Sequence, residues 1–225
     1  MKRLLTYLFI LLPAAMAAQD DVEYKLELGG AFGLVNYLGD YNSNLFSCSR
    51  PMGSVIAKAV LNPHMDIRGD LSVGALGGTY KVKDDYYPEG PMDGEKFSHM
   101  RYDLSAVFED NFWAYGTGKD YFHAKRIAPF IFLGIGATLV TTKQQTVFTG
   151  NVPIGVGVKY RAGARLNLAL EWAMHFSLSD KLDGVVDPYG IKSSGLFKNT
   201  DCYSMLKFTV TYSLLAKCRT CNPEY

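Results

Sequence analysis

The stretch RLNLALEWAMHFSL, residues 165–178, alternates with a period of two. Leu166, Leu168, Leu170, Trp172, Met174, Phe176 and Leu178 fall on one side. Arg165, Asn167, Ala169, Glu171, Ala173, His175 and Ser177 fall on the other. Successive side chains of a β-strand point to opposite faces, so this is a strand with one large apolar face and one polar or small face. Two architectures accept it. A soluble sandwich or lipocalin-like barrel turns the large apolar face inward. A membrane barrel turns it outward, against lipid, and encloses the charges.

The same period recurs along the chain. Runs at 24–37, 53–62, 65–80, 99–108, 129–142, 153–160, 165–178 and 202–214 predict eight strands, an even number that a membrane barrel closes. Connections at 62–64 and 161–163 are tight turns. Those at 38–51, 82–98, 143–152 and 181–201 are longer. Short periplasmic turns alternating with long outer loops are the scheme of outer-membrane barrels. One place departs from it. Residues 110–127, DNFWAYGTGKDYFHAKRI, should be a periplasmic turn and are too many for one. They are either a contact surface, with Asp110, Asn111, Phe112, Trp113 and Tyr115 as candidate docking residues, or a strand extension followed by an ordinary loop.

The choice between lipid and water rests on what each face holds. The apolar rows run for about seven alternate positions, enough for a tilted strand to cross a ~25 Å apolar band. The opposite face mixes glycine and alanine with Glu27, Lys58, Arg68, Asp70, Arg101, Asp103, Lys159, Arg165, Glu171 and Lys207. An eight-stranded interior is only wide enough for side chains, and small residues with matched charges fill it. Tyr37, Phe112, Trp113, Phe130, Tyr160 and Tyr212 fall near strand ends, where interfacial aromatic girdles sit. The reading is therefore all-β: an eight-stranded antiparallel transmembrane β-barrel with short periplasmic turns and longer extracellular loops.

Enclosed charges need partners, because unpaired burial costs several kcal/mol. Arg68, Asp70, Arg101 and Asp103, on neighbouring strands, are expected to form one alternating-sign cluster, with Arg165 and Glu171 on the same inner face. A structural plug of salt bridges is the simpler reading of it; a proton or ion path is the sharper one.

Other chemistry is thin. The 225 residues carry a formal net charge of +1, which gives no footprint for nucleic acid. No Ser/His/Asp arrangement with a nucleophile elbow occurs, and His64, His99, His123 and His175 are scattered. His175 shares the inner face with Glu171, which reads as a satisfied interior group. Gly134-Ile135-Gly136 and Gly155-Val156-Gly157 lack the following helix of a dinucleotide loop, so glycine there relieves crowding or bends a strand. Asp180, Asp183 and Asp187 lack EF-hand spacing and read as a solvated loop rather than a calcium site. No catalytic residue, cofactor, metal or small-molecule substrate is expected.

The start, MKRLLTYLFILLPAAMAAQDD, has two basic residues, a short apolar core and a small-residue site ending at Ala17 or Ala18. It reads as a secretory signal peptide over 1–18, with the barrel over 19–215 and a periplasmic tail over 216–225. Export permits disulfides among Cys48, Cys202, Cys218 and Cys221. Their pairing stays open; Cys218-Arg-Thr-Cys221 reads as a local or intermolecular disulfide in preference to a zinc half-site or redox pair.

The segments NYLGDYN (36–42), RPMG (50–53), FEDNFWAYG (108–116), PFIFLGIG (129–136) and VPIGVGVKYRAGARLNLALEWAMHFSLSDKLDGVVDP (152–188) resemble the PorG-like outer-membrane β-barrel family of the type IX secretion system. The resemblance implies a non-enzymatic protein of the outer membrane that anchors or scaffolds a periplasmic ring. PorK-like lipoprotein and PorN-like proteins would be its partners, beside outer-membrane lipid. The overlong 110–126 segment, with Cys218 and Cys221 in the tail, would be the docking side. The reading of another class is a generic OmpX-like or adhesin-like barrel without a secretion role.

Overall fold

The computed structural model describes residues 24–38, 49–79, 96–116, 124–141, 146–178 and 202–216. The strands follow in chain order: β1 (Tyr24–Leu38), β2 (Arg50–Val60), β3 (Met65–Thr79), β4 (Lys96–Asn111), β5 (Ile127–Thr141), β6 (Thr146–Arg161), β7 (Leu166–Ser177) and β8 (Cys202–Ala216). Each pairs antiparallel with its sequence neighbour, and β1 pairs antiparallel with β8 along most of its length. The meander is thus a closed barrel, and closure removes the unpaired edges that an open sheet would expose.

Which face points outward is settled by burial. On β7, Leu166, Leu170 and Trp172 are exposed, while Asn167, Glu171, Ala173 and His175 are buried. The other strands follow suit. Leu104, Ile135 and Phe148 are 60%, 72% and 73% exposed, whereas Arg101 and Glu109 are fully buried. Ionic side chains inside and large aliphatic ones outside invert a water-soluble core, and this is the facing of a transmembrane barrel. A spanning strand needs about 9–11 residues. At 11 to 16 residues the strands here suffice.

Three details differ from the sequence expectation. First, β6 starts at Thr146, so only residues 142–145 separate it from β5 and the long outer loop over 143–152 is absent. The mixed run Thr146–Asn151, with Val147 and Phe148 adjacent, hid its alternation, yet Val147, Thr149 and Asn151 are buried and Phe148 is exposed. Second, β4 continues to Asn111 and carries Glu109 inward. Third, Phe130 is no girdle residue. β5 is apolar on both faces, and Phe130 and Phe132 are its inward side chains, only 1% and 4% exposed.

Those two rings explain a glycine pair. Phe130 lies across the ladder from Gly157, and Phe132 from Gly155. A methyl group at Gly157 would sit 2.7 Å from both the Phe130 ring and the Leu170 carbonyl oxygen. Gly157→Ala is therefore expected to cost about 1–3 kcal/mol, as overpacking does. Urea unfolding of the refolded barrel in lipid vesicles, followed by tryptophan fluorescence, checks it.

Candidate functional site: the ion-paired lumen and the strap at its mouth

All eight strands contribute to one layer of charges and rings. Glu109 is at its centre. Its carboxylate lies 3.0 Å from Lys58 Nζ, 2.9 Å from Arg68 Nη1 and 2.6 Å from Lys159 Nζ. Arg68 continues to Glu171, Glu171 to Lys207 at 2.8 Å, and Lys207 to Asp70. On the other flank Lys159 reaches Asp66 at 2.6 Å. Lys58 lies 3.9 Å from Glu27. Ladder register brings several of these together: Glu27 pairs with Lys58, Lys58 with Arg68, and Glu171 with Lys207. β5 supplies no charge. Instead Phe132 faces the Arg68 guanidinium at 4.9 Å and Phe130 faces Lys159 Nζ at 4.6 Å, covering the cations with π-faces.

A second layer lies towards the other end of the lumen. One oxygen of Asp103 accepts hydrogen bonds from Thr138 Oγ1 at 2.8 Å, Tyr203 OH at 2.7 Å and Asn151 Nδ2 at 2.6 Å. His175 stacks on Tyr203 with centroids 4.7 Å apart. Arg101 Nη1 is 3.9 Å from Asp103, and the guanidinium lies over the Tyr203 ring. Arg68 and Asp70 therefore do not form one cluster with Arg101 and Asp103. Register is the reason. Arg68 faces Val107 and Asp70 faces Ser105, whereas Asp103 faces Ser72 and Arg101 faces Gly74, further along the barrel. Arg165 belongs to neither layer. It precedes β7, half-buried, with its guanidinium 5.7 Å from the Tyr24 ring.

Among the described residues, the buried acids Glu27, Asp66, Asp70, Asp103, Glu109 and Glu171 equal in number the buried bases Lys58, Arg68, Arg101, Lys159, Arg161 and Lys207. Apolar side chains fill the gaps, notably Val35, Met52, Leu76, Val140 and Met205. The interior holds more bulky apolar groups than charges and glycines alone would need.

The described parts of the overlong segment after β4, residues 112–116 and 124–126, lie at one mouth of this lumen and form the strap. Asn111 Nδ2 donates to the Pro63 carbonyl, and the Tyr115 amide donates to the same oxygen at 2.9 Å. His64 Nδ1 lies 2.9 Å from the Asn111 carbonyl. The Gly116 amide donates to the Lys125 carbonyl, and the Lys125 amide donates to the Ala114 carbonyl. The Tyr115 hydroxyl donates to Asn167 Oδ1 at 3.0 Å, and Asn167 Nδ2 donates to Glu27 and Ser213. Burial raises the Tyr115 phenol above its ordinary pKa, so this donor keeps its proton. Tyr115 thus ties the strap to the β2–β3 turn through its amide and to β7 through its hydroxyl.

The candidate docking residues divide accordingly. Asn111 is buried and bonds within the barrel, and Tyr115 turns its hydroxyl into the mouth. Asp110 is half-buried. Phe112 and Trp113 are exposed, 56% and 45%, and Lys125 Nζ covers the Trp113 ring at 4.2 Å. Tyr160 and Tyr212 are exposed near the same end of their strands. Cys48, Cys218 and Cys221, Asp180, Asp183, Asp187 and His123, the side chain of Tyr37, the segment read as signal peptide and the tail beyond Ala216 lie outside the described residues.

Glu109, Asp66 and Tyr203 belong to these layers and were absent from the expected cluster. A signal existed for each. The inward series 101, 103, 105, 107 on β4 continues to 109, 66 precedes 68 and 70 on β3, and 203 precedes 205 and 207 on β8.

A family model described as "Domain of unknown function (DUF6089)" matches residues 2–223. No curated protein matches the sequence. Similar solved structures, at low identity, include three barrels. Neisserial surface protein A, from Neisseria, is 13% identical with a TM-score of 0.46, over 87% of this chain and 100% of that one. The attachment invasion locus protein Ail of Yersinia pestis is 8% identical with a TM-score of 0.43, over 84% and 97%. The N-terminal β-barrel domain of Pseudomonas aeruginosa OprF is 12% identical with a TM-score of 0.44, over 84% and 98%.

Proposed function

Because the chain belongs to the DUF6089 family and its barrel is filled from wall to wall, we propose that it is a non-enzymatic outer-membrane barrel with a structural task. It passes nothing through its lumen and holds a fixed face at one mouth of the membrane. The observation that carries this is the strap pinned over a layer of ion pairs from seven strands, covered by the aromatic rings of β5. The apolar exterior supports insertion in the outer membrane, since a closed barrel is one of only two folds that satisfy their backbone within lipid. His175, Asp103 and Tyr203, groups capable of acid–base work, are only 2%, 1% and 0% exposed, which supports a task without catalysis. The purified barrel in planar bilayers is expected to give no discrete conductance steps. Steady single-channel openings would overturn the reading.

A second, finer reading rests on the ordered motifs between 36 and 188. Their likeness to the type IX secretion barrel supports a scaffolding role for a periplasmic ring of PorK-like and PorN-like proteins. The strap's exposed Phe112 and Trp113, with the Cys218–Cys221 tail, would form the docking face. Purification of the native complex in mild detergent tests it. Ring proteins should travel with the wild-type chain and be recovered less with Phe112→Ala/Trp113→Ala. Their absence from the wild-type preparation leaves the general structural barrel as the function.

A further inference from the structure

Charge inside the barrel is balanced, but charge at the strap's mouth is not. Among the described residues, the ionic side chains there that stay exposed or half-buried are four bases, Lys25, Lys125, Arg126 and Arg165, and one acid, Asp110. Two of the bases stand together at the entry to β5. The Lys125 amide donates to the Ala114 carbonyl, and its ammonium lies on the Trp113 ring at 4.2 Å. The Arg161 amide donates to the Arg126 carbonyl at 2.8 Å, which sets Arg126 against the end of β6. Next to them, towards the middle of the barrel, the outer surface is apolar. Ile127, Val158 and Tyr160 are exposed, and register places the Tyr160 phenol between Ile127 and Leu168. The turn beyond Arg161, Ala162-Gly163-Ala164, is exposed and carries no long side chain.

A ligand that meets both parts must be charged at one end and apolar along the rest. We propose that Lys125 and Arg126 hold the phosphate of an anionic phospholipid, beside Tyr160, with its chains along Ile127 and Val158. This rests on the outer-membrane reading above. An arginine fork and a lysine ammonium both suit phosphate oxygens. An ammonium on a π-face keeps donors for an anion on its other side. Tyr160 marks the headgroup level, where tyrosine is enriched in membrane proteins. A soluble anion would use the cations and leave the apolar strip bare. A zwitterionic lipid would bring its own cation to a mouth already rich in bases, whereas anionic lipid is drawn to such a surface. A lipid held here fixes the depth at which the strap sits.

Native mass spectrometry of the refolded barrel tests this, after extraction from vesicles of equal parts phosphatidylglycerol and phosphatidylcholine with matched chains. The wild-type barrel is expected to retain phosphatidylglycerol several-fold over phosphatidylcholine. Lys125→Gln/Arg126→Gln should bring that ratio close to one. Arg50→Gln, which changes an exposed base at the opposite end of the barrel, should leave it unchanged. All these side chains are exposed, and the heat-dependent shift in gel migration verifies that each variant folds. A wild-type ratio near one, or a double variant that keeps the preference, would overturn the proposal. So would displacement of the lipid by millimolar inorganic phosphate, which would mark a site for the free ion. Failure of the wild-type chain to insert into the vesicles at all would instead overturn the membrane reading on which the proposal rests.

Discussion

Glu109→Ala is expected to lower the stability of the folded barrel by about 3–5 kcal/mol, the usual cost of removing one partner from a buried ion pair. The effect belongs at the top of that range. Three cations, Lys58, Arg68 and Lys159, lose a carboxylate within 3.0 Å, and Glu109 itself is fully buried. Burial forbids water from replacing the lost charge. Glu109→Gln keeps the shape and removes only the charge, so it separates the electrostatic part from the cavity left by alanine. Chemical unfolding in lipid vesicles, read by tryptophan fluorescence and by the heat-dependent shift in gel migration, measures both. A loss below about 1 kcal/mol, the range of a surface pair, would mean that solvent reaches the layer.

The second large effect is expected on the opposite face. Leu104→Arg, near the middle of β4 and 60% exposed, should cost about 2–4 kcal/mol in a bilayer, because the guanidinium would sit near the midplane. Leu166→Arg, at the start of β7, should cost only about 0–1 kcal/mol, since its charge reaches the interface. The contrast between the two is the measurement. Were both equally mild, the exterior at Leu104 would be facing water and the orientation of the barrel would be wrong.

The fold was legible because its signal is local. Alternation on β7 or β8 needs no knowledge of the partner strand, and the sign of each face follows from what it carries. The failures came where alternation is blurred or distance matters. β5 is apolar on both sides, so only pairing with Gly155 and Gly157 shows that Phe130 and Phe132 turn inward. β6 opens with Thr146-Val147-Phe148-Thr149-Gly150-Asn151, a mixed run without a clear large-apolar face. The charge layers depend on register. Arg68 and Arg101 look equivalent along the chain, yet antiparallel pairing sets them at different heights, and no spacing within one strand reveals that. The excess length of residues 110–127 is visible in the sequence, but the pinning of Tyr115 to Asn167 joins residues far apart along the chain.

The seam between the first and last strands has a bearing on assembly. Lys207 arrives with β8, and Asp70 and Glu171, both placed far earlier in synthesis, have it as a shared counterion. A sheet that lacks its final strand would carry those carboxylates without it, beside an open lipid-facing edge. Partial barrels are therefore disfavoured twice, by backbone and by charge, and insertion should proceed as one concerted event that waits for the C-terminal strand to dock on Tyr24–Leu38.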